Sequence, residues 1–132
     1  VGTRFICAEE SSAPKSHKDK VLKASSNDTM RTLVLSGRPL RLIPNDWVKS
    51  WEKEPARIQE LCDQGVVPFA HDMKSKGEDA TVRRQLLDTV NSLAGQCVGG
   101  ISTVEPAQKI VEDMVAEAAS MMESNAALIS RL

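Results

Sequence analysis

At 132 residues the chain has the size of one domain, and its 41% of apolar side chains suffices for a modest core. With 17 basic against 18 acidic residues and a formal charge of -1, it offers no electrostatic reason to bind nucleic acid or an anionic membrane. Cys7, Cys62 and Cys97 are odd in number and widely spaced, with no C-x-x-C pair. That pattern speaks against a disulfide framework or a zinc site and for reduced thiols in the cytoplasm. His17 and His71 stand far apart, with no ligating residue at the i+3 or i+4 spacing, so no metal is expected. The apolar runs are only a few residues long, far short of the ~20 needed to span a bilayer, and no signal segment is present.

The chain opens at Val1 with no initiator methionine, which reads as a cut end. "RFIC" is short and β-prone and predicts a buried strand, followed by the polar loop "AEESSAPKS". From Ser16 to Ala24, "SHKDKVLKA" predicts an amphipathic helix with Val21 and Leu22 inward. Its lysines read as a solvated face rather than an anion site. "SSNDT" is a cluster of turn formers, and "MRTLVLSGRPLRLIP" then predicts strand, Ser-Gly turn and strand, closed by Pro44.

"NDWVKSWEK" can start a helix capped by Asn45 or Asp46, with Trp47 and Trp51 as packing anchors on one face. Pro55 suits the first turn of "PARIQELCDQ", with Ile58, Leu61 and Cys62 inward and Gly65 at its end. "VVPFAHDMKSKGEDA" lacks a clean period and predicts an irregular connection, after which a helix is expected from Thr81 to Val90. The last helix, from Val104 to about Leu128, carries Ile110, Val111, Met114, Val115, Ala118, Met121 and Met122 at helical spacing. Its start is either a Ser102/Glu105 capping box or Glu105 as cap with Pro106 first in the helix. The methionines read as core filler. A lone strand leaves its backbone groups without partners, so a missing N-terminal part is expected.

Two glycine-bearing stretches could carry chemistry: "VGTRF" and "LAGQCVGGI". A glycine lets backbone N–H groups approach a phosphate, and the hydroxyl of Thr3 adds a donor. Alone, Gly2 reads as a plain turn and the second stretch as a flexible loop before the last helix. Their order with the intervening segments is more specific: "GTRF", "EES", "HKDKVLKA", "NDT", "SGRPLRLIPN", "AGQCVGGI" and a last helix. That series resembles the C-terminal third of the nitronate monooxygenase family, once called 2-nitropropane dioxygenases, which also includes flavin-dependent enoyl-acyl-carrier-protein reductases.

The resemblance implies an α/β fold: the C-terminal fragment of an FMN-binding TIM barrel, with a mostly helical segment and a small β excursion. Residues 1–12 would be the end of the last barrel strand and the FMN-phosphate loop, 13–92 the helical segment with its β excursion, and 93–132 the glycine-rich loop and C-terminal helix. On this resemblance Gly2 and Thr3 belong to the FMN phosphate cradle, in keeping with phosphate sites after strands seven and eight. Gly95 and Gln96 match the segment that approaches the flavin. Arg4 and Phe5 are structural, and Gly37, Arg41 and Asn45 stabilise the excursion.

Pro14 and His17 stand where relatives often carry His and Tyr, and the chain has no Tyr at all. The family's catalytic His lies upstream, so no catalytic residue is assigned here, and His71 is given a surface or packing role. The implied activity is oxidation of alkyl nitronates by dioxygen through FMN in the intact protein, the isolated chain being inactive. The enoyl reductase is the alternative within the family, and a non-catalytic helical interaction module is the alternative outside it. The implied partners are a small-molecule nitronate and dioxygen; no oligomeric state is implied.

Overall fold

The computed structural model describes residues 1–129, so the last three residues of the 93–132 segment lie outside the described residues. The opening differs from expectation. Gly2–Ile6 forms a short helix, α1, where the sequence predicts a buried strand at "RFIC" and the end of a barrel strand within residues 1–12. No strand lies beside it among the described residues, and a helix satisfies its backbone locally. The Arg4 N–H donates to the Val1 carbonyl at 3.0 Å and the Cys7 N–H to the Arg4 carbonyl at 3.1 Å. Strand character survives only as one parallel bridge between Ala8 and Glu105. No closed barrel is present among the described residues.

The helix α2, Lys15–Lys23, buries Val21 as expected and also His17. After a 3-10 turn at Ser26–Asp28, β1 (Met30–Thr32) pairs antiparallel with β2 (Leu40–Leu42), Met30 opposite Leu42. Gly37 turns the chain between them at φ 68, a left-handed conformation that favours glycine. The segment before the second glycine motif adds to the free edge of β2: Ile43 N–H donates to the Ser92 carbonyl and Ala94 N–H to the Arg41 carbonyl. Leu42 and Leu93 form an antiparallel bridge there.

Helices α3 (Asp46–Trp51), α4 (Pro55–Asp63), α5 (Pro68–Lys76) and α6 (Ala80–Val90) build the larger core. The Asn45 side chain caps α3 by accepting from the Val48 N–H, and its amide donates to the Gln85 carbonyl and the Thr89 hydroxyl on α6. The helix α5 corrects the irregular connection expected for this stretch. Pro68 occupies its first turn, where a missing N–H costs nothing, and Gly77 follows its end. Val34, Leu42, Trp47, Val48, Trp51, Ile58 and Leu86 form one buried cluster. Both indoles donate to the same oxygen of Asp72, at 2.9 Å each, so the anchoring role expected of the tryptophans includes a polar node.

A second cluster of Cys7, Val21, Ala94, Val98 and Ile101 joins α1 and α2 to the second glycine stretch. The last helix, α7, spans Ala107–Ile129. Neither expected cap starts it; the Glu10 carboxylate accepts from the Ala107 N–H at 2.8 Å instead. Ile110 is buried and Met114 half-buried, whereas Val115 and Met122 are 63% and 73% exposed. Only the first turns of the expected buried stripe are therefore covered by this chain.

Candidate functional site

The two glycine stretches meet. The Gly95 N–H donates to the Thr3 hydroxyl oxygen at 2.9 Å, joining residues 92 positions apart. Gly2 and Thr3 stand in the first turn of α1, whose N–H groups have no acceptor within the helix. A β-carbon built on Gly2 would meet nothing within 4 Å, so the backbone is open on that side. Gly95 is extended and introduces a 3-10 turn, Gln96–Gly100, with the Gln96 side chain exposed. Gly2, Thr3, Gly95 and Gln96 are thus brought to one junction, although Gln96 makes no side-chain hydrogen bond among the described residues.

The junction is clasped from several directions. Arg4 donates to the Thr103 carbonyl at 2.8 Å and pairs with Glu105, so its charge is already engaged. The Glu9 N–H donates to the Glu105 carbonyl at 3.0 Å, fixing the chain after α1 against the entry to α7. His17 contacts the Leu93 carbonyl through Nε2 at 2.9 Å. Burial raises the pKa of the Cys7 thiol despite the nearby charges of Arg4 and Lys18, which leaves it a poor nucleophile.

Sequence reading missed Glu105 and His17 as supports because their partners are remote in the chain. Gly99, expected as part of a flexible loop, is closely packed instead: its β-carbon would lie 2.4 Å from the Ser26 hydroxyl and 2.8 Å from the Ser26 nitrogen. His71 is elsewhere, against Asp72 and the edge of Trp51.

What the junction can do chemically is accept an anion through backbone. An open glycine, helix-start amides and a hydroxyl whose oxygen already accepts from Gly95, leaving its proton for a ligand, suit a phosphate oxygen. The residues therefore fit the phosphate end of FMN. Cavities of about 510 Å³ beside Lys23, Met30 and Lys49 and about 350 Å³ beside Arg31, Glu52 and Ile58 are lined by none of the four junction residues.

The chain is 30% identical over 120 residues to the Mycobacterium tuberculosis protein Rv1533, which bears a provisional monooxygenase name. That match covers 88% of this chain and 31% of the relative. A Bacillus subtilis protein with a provisional nitronate monooxygenase name is 38% identical over 61 residues, 46% of this chain and 17% of that protein. Among solved structures, FabK from Thermotoga maritima superposes with a TM-score of 0.62 at 25% identity, covering 92% of this chain and 37% of FabK. A point variant of the same protein gives 0.56 at 26% identity, covering 92% of this chain and 34% of the variant. The chain thus spans about a third of the length of Rv1533 and of FabK. Residues 1–117 match the nitronate monooxygenase family, which shows that the chain belongs to that family of flavoenzymes.

Proposed function

We propose that this chain supplies part of the FMN site of an oxidoreductase that oxidises alkyl nitronates with dioxygen, acting in the cytoplasm. The observation that carries the proposal is the bond from the Gly95 N–H to the Thr3 hydroxyl, which gathers both glycine motifs at one open backbone surface. In this reading the Gly2 and Thr3 amides and the Thr3 hydroxyl hold the cofactor's phosphate. Gly95 fixes the Thr3 hydroxyl oxygen as an acceptor, so that its proton is directed to the ligand. Gln96, exposed at the head of its turn, offers an amide that can donate or accept at the flavin. When bound, FMN supplies the electron transfer from the nitronate to dioxygen, and the protein's part is placement.

Neither histidine is assigned to proton transfer: His17 is held at the Leu93 carbonyl and His71 at Asp72. The test is nitronate-dependent oxygen uptake by the full-length protein, with flavin content measured on the same sample. Flavin-loaded protein that consumes oxygen only with a nitronate supports the reading. Oxidation of a nicotinamide cofactor with an enoyl thioester, in place of oxygen uptake, would assign it to the reductase branch. Protein without flavin or turnover would favour a non-catalytic interaction module.

A further inference from the structure

The peptide unit between Leu93 and Ala94 is held at both edges. Its carbonyl meets His17 Nε2 at 2.9 Å, and its N–H donates to the Arg41 carbonyl at 3.2 Å. The next N–H along the chain, that of Gly95, donates to the Thr3 hydroxyl. Three backbone groups in two successive peptide units are thus fixed by three different elements: α2 through His17, β2 through Arg41 and α1 through Thr3. A carbonyl can only accept, so His17 Nε2 must carry the proton, and the ring acts as a donor. His17 is 7% exposed and Ala94 4%, whereas Leu93 is 37% exposed, so the bond is shielded from water on the His17 side.

We infer that His17 is a positioning residue for the Gly95–Gln96 turn: by fixing the Leu93–Ala94 peptide plane it aims the Gly95 N–H at Thr3 and sets where Gln96 begins. The inference rests on the proposed flavin reading only for its effect on the cofactor; the backbone geometry stands without it. His17 does not touch the junction's open surface and takes no part in the chemistry. Its requirement is a donor at the reach of the imidazole Nε2, which a glutamine amide can supply and a leucine cannot.

The experiment compares wild type, His17→Leu, His17→Gln and Leu86→Ala in the full-length protein. Two readouts are taken, hydrogen exchange at the Gly95 amide and FMN affinity by fluorescence titration. Leu86 lies in the other buried cluster, so Leu86→Ala controls for general loss of stability. His17→Leu should speed exchange at Gly95 by about tenfold, the order expected for one lost hydrogen bond, and weaken FMN by a similar factor. His17→Gln should restore both, and Leu86→Ala should leave Gly95 exchange slow below its global unfolding limit.

Exchange at Gly95 no faster in His17→Leu than in Leu86→Ala, or a His17→Gln protein as loose as His17→Leu, overturns the positioning role. Faster exchange with unchanged FMN affinity overturns the link to the cofactor. Wild-type protein that takes up no FMN refutes the flavin reading instead, and the exchange comparison alone then decides the role of His17.

Discussion

Replacing Asp72 should be the most damaging single polar change in the larger core. Its side chain is 2% exposed and receives both tryptophan indoles on one oxygen, with His71 Nδ1 at 3.0 Å and the Lys76 ammonium at 3.1 Å on the other. Burial alone would raise its pKa; hydrogen bonds from Trp47, Trp51, Lys76 and His71 outweigh burial and lower it from 3.8 to about 2.

Asp72→Ala strands two buried indole N–H groups at ~1 to 3 kcal/mol each, so a loss of roughly 2 to 6 kcal/mol is expected. That is a large fraction of a domain's ~5 to 15 kcal/mol. Asp72→Asn keeps an acceptor for the indoles but sets an amide donor against Lys76 and His71, and should fall between wild type and Ala. Because the folded pKa is depressed, the charge on Asp72 contributes fully above about pH 4. Its contribution, on the order of 2 kcal/mol, is lost as pH falls through about 2. Urea unfolding followed by tryptophan fluorescence at neutral pH and again near pH 3 measures both effects. An Asp72→Ala protein within about 0.5 kcal/mol of wild type, the usual range for surface changes, would refute the polar node.

Gly99→Ala should destabilise by more than an exposed glycine change, because its methyl meets Ser26 at 2.4 Å; a double variant with Ser26→Gly should recover part of the loss in thermal melts. Ile110→Ala should cost ~2 to 5 kcal/mol, whereas Met122→Ala, at a 73% exposed site, should be nearly neutral in this chain. Equal losses at the two positions would show that the distal half of α7 is covered as firmly as its start. Glu10→Gln should weaken the start of α7 slightly, read as faster exchange in its first turn, because a neutral amide oxygen still accepts from Ala107 but carries no charge to favour the helix start.

Elements with their own local signals were legible in the sequence. The hairpin around Ser36 and Gly37, the Asn45 cap and the Pro55 helix each carry turn or cap chemistry, and each forms. Two local readings failed for physical reasons. β-prone "RFIC" enters a helix because its backbone finds partners within itself, and "VVPFAHDMKSKGEDA", which lacks a clean period, forms a helix because Pro68 stands in its first turn, where proline is tolerated. The core clustering of the tryptophans was readable from their i and i+4 spacing, but their shared acceptor was not, since Asp72 lies on another helix. The same holds at the junction. The two glycine motifs could be named from sequence, whereas the Thr3–Gly95 bond and the His17–Leu93 contact that join them depend on tertiary approach.

The most direct test of the account is the flavin-to-protein ratio of full-length Gly2→Val, measured beside its melting temperature without flavin. A β-carbon at Gly2 meets nothing within 4 Å in this chain, and Gly2 is not among the residues of positive φ, so the fold should tolerate the change. The added side chain would instead obstruct approach of a phosphate to the first-turn amides. An unchanged flavin-free melting temperature and loss of most of the bound FMN are expected. Full flavin occupancy in Gly2→Val would contradict the assignment of this junction to the cofactor.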